Sequence, residues 1–504
     1  MAWMGAKGGK RSVRQVENME GRRRGGELRD EIGAHGRTGI HLKRIPSPPP
    51  LGAVSLNPYF REIRPTLMLA LPIMIGQVSQ MLMGLTDSVM IGHTGTVPLA
   101  ASAFGGNIFG VFYVLSIGLM LPMAVLVPRA RGAGRPEECG EYLRHGLVLA
   151  FVFGAIETLV IVGLGRRLDW FQQPPEVLAI VNPFYWLIGS SITPVLLYLA
   201  MRQFAEAMGR PWVPMVIMLG GVGLNAFLNW VLIYGHLGAP ALGLTGAGIS
   251  TLVSRTLGVL VLFGWIHGDA TLRAALPRRW FAPLAGGRLR EMLHLGLPAS
   301  GMLLFESGAF AASAIMMGWL GAAPLAAHQI AISCAATTFM VQLGLSSAAG
   351  MRVSAALGAG DHARLRPIGY SALGLGGLLA AVFMILYLLA GHVIAGWFVH
   401  DAGVIALATQ LLVVTALFQF FDGGQVIGAS LLRGLSDVKL PAVITFVSYW
   451  VIAVPGGYLL GVRGPFGPLG IWAGLATGLA FAAFFLALRF TRLTRPNSSL
   501  SPIR

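Results

Sequence analysis

Residues 90–101 read MIGHTGTVPLAA, and residues 316–327 read MMGWLGAAPLAA. Seven of these twelve positions match at an offset of 226, where average residue usage gives roughly one by chance. The same offset pairs Pro72 with Pro298, Val127 with Val353, and Gly132-Ala133-Gly134 with Gly358-Ala359-Gly360. Towards the ends of the two copies the offset becomes 227, pairing Pro214 with Pro441 and Leu242-Gly243 with Leu469-Gly470. The chain is an internal duplication.

Each copy of the motif joins two apolar stretches of helical length, and such stretches continue in both directions. Twelve are read, at about 65–91, 99–127, 145–165, 178–201, 212–234, 242–267, 292–318, 324–350, 367–396, 404–431, 440–460 and 466–488. Each is near the roughly 20 residues that a helix needs to cross a bilayer. Composition agrees: 55% of the 504 residues are hydrophobic, 12% are charged, and the mean hydropathy is +0.69. Soluble domains carry about 25% charge, so the polar surface here is too small to solvate a globule of this size. The expected fold is an all-α integral membrane protein, with twelve transmembrane helices in two six-helix lobes. Six is even, so both halves start on the same side and the repeat is parallel. Parallel repeats serve transporters, whose lobes rock about a site held between them.

Charge divides the connections sharply. Those after helices 2, 4, 6, 8 and 10, with the adjoining helix ends, hold 16 Lys or Arg; those after the odd-numbered helices hold only Arg166, Arg167 and Arg463. The positive-inside rule puts the basic connections and both termini in the cytoplasm, with the chain in the cell inner membrane. The expected organisation is a disordered basic cytoplasmic tail (1–60), a first lobe (61–270), a cytoplasmic linker (271–291), a second lobe (292–490) and a short cytoplasmic tail (491–504). Residues 1–64 carry 13 Lys or Arg and no apolar stretch of signal-peptide length. The net charge of +16 does not read as nucleic-acid binding, because no compact basic domain with interleaved aromatics follows that tail. Cys139 and Cys334 are too few for a disulfide framework or a cysteine metal site.

Four acids lie inside the spans: Asp87, Glu157, Glu306 and Asp422. Each costs about 2.5–3.5 kcal/mol at mid-bilayer, so each needs a partner, a proton or a hydrated cavity. Arg255 is the one basic residue read inside a span, so ion pairing cannot neutralise all four. A carboxylate without a fixed cation must take a mobile one, either a proton or a metal ion.

The acids sit on polar helical faces. Gln77, Gln80, Gly84 and Asp87 share one side of helix 1. Glu306 and Ser313 are seven apart on helix 7, Asp422 and Gln425 three apart on helix 10, and Asn225 and Asn229 four apart on helix 5. Asp87, Glu306 and Asp422 read as functional. Glu157 stands alone and reads first as helix–helix hydrogen bonding, as does His328. The asparagines fit packing and cation binding equally well. At the repeat offset Glu306 corresponds to Gln80 and Asp87 to Ser313, so the halves share a scaffold and differ in polar chemistry.

The stretches LPIMIGQVSQMLMGLTDSVMIGHTG, LLFESGAF, APLAAHQIAI, FDGGQVIGASLLRG and SYWVIAVPGGYLLG, in that order on those helices, resemble the multidrug and toxic compound extrusion (MATE) family, NorM-like branch. The resemblance covers about residues 60 to 490. It implies two lobes around a V-shaped cavity and efflux of cationic, amphipathic compounds driven by Na⁺ or H⁺ entry. Glu306 and Asp422 look like the family's C-terminal cation-site acids, Asp87 like its helix 1 acid, Asn225 and Asn229 like its helix 5 pair, and Thr251 like its helix 6 hydroxyl. Members with a C-terminal Na⁺ site can carry a tyrosine four residues before the helix 10 acid, and here that position is Phe418. The missing hydroxyl tilts the expectation towards H⁺.

The expected function is a cation-coupled antiporter that exports drugs by alternating access. The expected partners are small cationic amphipathic substrates, a monovalent cation and the lipid bilayer, with no nucleic acid, no cofactor beyond the coupling ion, and a monomer as the working unit. The expected site is Asp87, Glu306 and Asp422 for coupling, the latter two holding Na⁺ if that ion drives. Gln80, Asn225, Asn229, Thr251, Gln425 and Phe418 support them. Two alternatives stand beside this reading. A lipid-linked saccharide flippase would line its cavity with several basic residues. A polytopic membrane enzyme would need a catalytic constellation, and neither an HExxH zinc motif nor a GxxxxGK nucleotide loop occurs.

Overall fold

The structure is a computed structural model that describes residues 57–495. The tails expected at 1–60 and 491–504 lie outside the described residues, apart from 57–60 and 491–495. Twelve helices long and apolar enough to span a membrane run through the described chain. The first half contributes helix 1 (Pro58–Gly92), helix 2 (Thr96–Gly132), helix 3 (Pro136–Phe171), helix 4 (Pro175–Ala207), helix 5 (Trp212–Tyr234) and helix 6 (Gly243–Gly268). The second contributes helix 7 (Gly286–Leu320), helix 8 (Ala322–Gly358), helix 9 (His362–Phe398), helix 10 (Ala402–Gly434), helix 11 (Lys439–Arg463) and helix 12 (Gly467–Leu493). The chain is a multi-pass membrane protein.

Local chemistry accounts for the boundaries. Asn57 caps helix 1 by accepting the Tyr59 amide at 3.2 Å, and Pro58 follows at the first helical position, where the missing N–H costs nothing. The duplicated motif is a tight hairpin. Gly95 and Gly321, 226 residues apart, turn the chain with φ of 137° and 125°, a region closed to residues with a Cβ. Helix 2 is interrupted near Pro122. Helix 11 widens into π-helical turns at Val447–Ala453 and Tyr458–Arg463, on either side of Pro455; proline withholds an amide from the ladder.

One pairing from the sequence is corrected. Gly243 opens helix 6 and Gly467 opens helix 12, both with φ of 54°. Just behind them, a Cβ on Gly246 or Gly470 would stand 2.6 Å from the carbonyl oxygen of Leu232 or Leu460. The match of Leu242-Gly243 to Leu469-Gly470 is therefore a coincidence of composition. The offset falls to 224 here because the connection 235–242 is longer than 464–466.

The halves interlock at the end that carries the start of helix 1. Ala70, Ile73 and Met74 of helix 1 are buried in a core built otherwise by the second half, with Leu345, Ile427 and Leu486. Reciprocally, Met292 and Leu295 of helix 7 are buried among Leu126, Leu143 and Phe204 of the first half. Glu62 at the same end binds Arg352 of helix 8 and accepts Arg364 Nε at 2.8 Å. The expected linker is partly helical. Asp269 caps a single turn at Ala270–Ala274, and helix 7 begins at Gly286. The Ala285 amide donates to His145 Nε2 at 2.9 Å, which ties the linker to helix 3.

Candidate functional site

The two halves carry two separate polar clusters. In the first half, helices 1, 5 and 6 converge on Asp87. Its Oδ1 accepts Asn229 Nδ2 at 2.6 Å, and Thr251 Oγ1 lies 3.2 Å from its Oδ2. Asn225 Nδ2 donates to Thr251 Oγ1 at 3.4 Å and Asn225 Oδ1 accepts Asn229 Nδ2 at 3.4 Å, which closes the network. The i, i+4 spacing of the asparagines puts both amides on the face that meets helix 1. Both are fully buried.

Asp87 also lines a cavity of about 250 Å³ among helices 1, 2, 4, 5 and 6. Gln80 lines it too, and its amide donates to Tyr113 of helix 2. Two arginines reach the same cavity, Arg255 from helix 6 and Arg202 from helix 4. The apolar stretch at 178–201 stops one residue short of Arg202. Helix 4 instead continues to Ala207, so Arg202 and Glu206 are both buried, and they pair at 2.6 Å. The i, i+4 spacing of this Arg and Glu was the available signal. It was obscured because the apolar stretch ends at 201.

In the second half, helices 7, 10 and 11 converge. Asp422 is 3% exposed, and its Oδ1 has no hydrogen-bond partner among the described residues. Gln425, one turn on, leaves its buried Oε1 equally unmatched. Glu306 faces this pair from helix 7, with Tyr449 of helix 11 turned towards it. The Tyr449 side chain is fully buried, with its hydroxyl on the side of the Glu306 carboxyl. Tyr449 sits on the first π-helical turn of helix 11, an irregularity that is frequent at functional sites. Next to it, Trp450 Nε1 donates to the Phe305 carbonyl at 3.1 Å, which holds helix 11 against helix 7 beside Glu306. Tyr449 was missed in the sequence because nothing local sets it apart from other apolar-span tyrosines.

The remaining residues fall as follows. Phe418 is 1% exposed and packs edge-on against Trp472 at 5.4 Å and Phe310 at 6.2 Å. Glu157 accepts a hydrogen bond from Ser116 of helix 2. His328 Nδ1 accepts Trp472 Nε1 at 3.2 Å in a fully buried contact. Arg433 of helix 10 lies near enough to act on Glu306 electrostatically, but among the described residues they form no ion pair within 4.0 Å.

A family model, MatE, matches residues 72–231 and again 298–459. The chain belongs to the MatE family. The two matches begin at Pro72 and Pro298, the pair that the repeat offset aligns. Among curated relatives, the Multidrug resistance protein NorM of Burkholderia vietnamiensis is 36% identical over 436 residues, covering 84% of this chain and 93% of that protein. The Probable multidrug resistance protein NorM of Pseudomonas putida is 36% identical over 434 residues, covering 85% and 94%. Among solved structures, a eukaryotic MATE transporter superposes with a TM-score of 0.77 at 20% identity, over 87% of this chain and 99% of that one. An outward-facing multidrug resistance MATE family transporter gives 0.78 at 21%, over 86% and 96%. These establish the MatE fold of two six-helix lobes, and a family of transporters rather than enzymes.

Proposed function

We propose that this MatE chain is a multidrug efflux antiporter of the cell inner membrane, driven by a monovalent cation that enters on its buried acids. The observation that carries this reading is the second-half cluster. Asp422 Oδ1 and Gln425 Oε1 are two buried oxygens left without partners among the described residues, beside a second carboxyl on Glu306 and the Tyr449 hydroxyl that faces it. Unpartnered acceptors at that depth cost several kcal/mol, and a mobile cation supplies what the fold withholds.

Coupling follows from the packing. The lobes are interlocked at the end rich in arginine, so the outward-open and inward-open states differ by release of that seam. A cation on Glu306 and Asp422, or a proton on Asp87, changes the charge that each lobe carries and so favours one state over the other. Each site lies inside one lobe of a single chain, which supports a monomer as the working unit. The basic connections lie on the cytoplasmic side, with both termini.

Tyr449 alters the argument about the ion. Phe418 lacks a hydroxyl on helix 10, but Tyr449 brings one from helix 11. The oxygen count no longer favours H⁺ over Na⁺. The deciding experiment is uptake of a fluorescent lipophilic cation into inverted vesicles, the direction that corresponds to export from the cell, with H⁺ and Na⁺ gradients imposed separately. Accumulation under either gradient and none without a gradient is the expected result; gradient-independent movement overturns the reading.

A further inference from the structure

We propose that the first turns of helix 7 form a binding groove for one anionic phospholipid, in the membrane leaflet that borders the basic connections. Arg290 and His294 take its phosphate, and Leu293 and Leu297 take the start of an acyl chain. The inference goes beyond the efflux reading and does not depend on the coupling ion.

A groove of about 550 Å³ runs along this part of helix 7, lined by residues between Gly286 and Pro298. Gly286, Arg290, Leu293, His294 and Leu297 recur at helical spacing and share one face. The opposite face is occupied, since Met292 and Leu295 are buried in the first-half core. The groove has a polar end and an apolar end. Arg290 stands about 6 Å along the helix axis from Gly286, and Leu297 about 10 Å further. Three basic residues lie on these turns, and two are left over. Arg288 pairs with Glu141 of helix 3 at 3.4 Å. Glu291, the neighbouring acid, turns away and accepts the Tyr142 hydroxyl at 2.9 Å. Arg290 and His294 are both exposed. Among the described residues no carboxylate comes within the 4.0 Å of an ion pair with either.

The surroundings suit a headgroup layer. The connection that leads into helix 7 carries Arg273, Arg278 and Arg279. Within it Phe281 is fully exposed, and Trp280 lies 6.2 Å from Phe263 and 5.7 Å from His267 at the end of helix 6. Aromatic rings beside arginines are the signature of the membrane–water boundary. Water offers a bare phenyl ring nothing, whereas the boundary between headgroups and acyl chains takes it up. Charge then decides which lipid fits. A zwitterionic headgroup brings a cation towards Arg290, and an anionic one does not. The guanidinium fork matches two phosphate oxygens, and basic pockets on this side of a membrane hold anionic headgroups. The acyl chain continues over Leu293 and Leu297, the second of which is 55% exposed.

The test titrates the full-length protein in detergent with phosphatidylglycerol or with phosphatidylcholine of the same acyl chains. Native mass spectrometry counts the bound lipid. The wild type is expected to bind its first phosphatidylglycerol more tightly than its first phosphatidylcholine. Arg290→Gln should lower that preference about 5-fold, the scale of one basic residue at a lipid surface. Arg290→Lys, which keeps the charge and loses the fork, should fall between. Arg167→Gln removes an exposed arginine from the connections of the other side, and should leave the preference as it is. Equal affinity of the wild type for the two lipids overturns the proposal, as does an unchanged preference in Arg290→Gln. An equal loss in Arg290→Gln and Arg167→Gln also overturns it, because net charge alone would then attract the lipid.

Discussion

Gly132 of helix 2 and Gly358 of helix 8 hold the two lobes together by a reciprocal contact. A Cβ on Gly132 would run into the carbonyl oxygen of Ala355, and one on Gly358 into that of Arg129. Positions 129 and 355, like 132 and 358, are separated by 226, so the two contacts are copies related by the repeat. A second pair obeys the same offset. Gly344 lies against Met74, where a Cβ would be 2.6 Å from the Met74 Cα, and Gly118 lies against Ser300. Glycine at these positions lets backbone meet backbone across the seam, as small residues do between membrane helices.

Gly358→Ala should therefore weaken the seam without touching either polar cluster. Ser354 sits in it, its hydroxyl donating to the Val125 carbonyl at 2.6 Å. In a background lacking Cys139 and Cys334, a Ser354→Cys reporter should react with a thiol reagent at least several-fold faster when Gly358→Ala is added. Equal labelling rates would mean that the contact does not control opening.

Glu306→Gln and Asp422→Asn keep side-chain size and remove the charge. Either should abolish gradient-driven export while the protein still inserts at wild-type levels. Asp87→Asn should lower export to a lesser degree, because Asn229 and Thr251 still hold the side chain. Vesicle transport at matched protein amounts measures all three. Wild-type rates would reduce these acids to helix–helix contacts.

Tyr449→Phe and Phe418→Tyr make opposite changes and should not compensate. Losing the Tyr449 hydroxyl should raise the half-saturating concentration of the coupling cation about 3- to 10-fold, the scale of one net hydrogen bond. Adding a hydroxyl at Phe418 places it inside the closed ring cluster with Phe310 and Trp472. An unmatched buried hydroxyl costs about 1–3 kcal/mol, so Phe418→Tyr should melt several degrees lower. Cation titration of transport and a thermal-shift series separate the two effects.

The clasp at Glu62 should respond unequally to loss of its two arginines. The side chain of Arg352 is 11% exposed and that of Arg364 50% exposed. Removing a buried partner costs roughly 3–5 kcal/mol, whereas an exposed pair contributes about 0–1 kcal/mol. Arg352→Gln should thus lower the midpoint of thermal inactivation clearly, and Arg364→Gln barely. Equal shifts would show that solvent does not screen the outer arginine.

Much of the protein was legible in one dimension. Twelve apolar stretches and the repeat at 226 follow from local rules: hydropathy per span and identity at a fixed offset. The acids Asp87, Glu306 and Asp422 stood out because a charge in an apolar stretch is costly wherever the helix packs. The sequence could also name the family, since the motifs occur in order.

What the sequence could not supply is which side chains meet. Asp87 and Asn229 are 142 residues apart, and Arg352 and Glu62 are 290 apart. Such contacts depend on helix rotation and on the interlocked lobes, which no local pattern encodes. For the same reason Tyr449 remained hidden among ordinary aromatics, and Arg202 lay just past an apolar stretch, where only the full length of helix 4 buries it with Glu206. Span periodicity fixes a residue's position along the membrane normal. Packing alone fixes its neighbours, and the chemistry of a buried charge is decided by those neighbours.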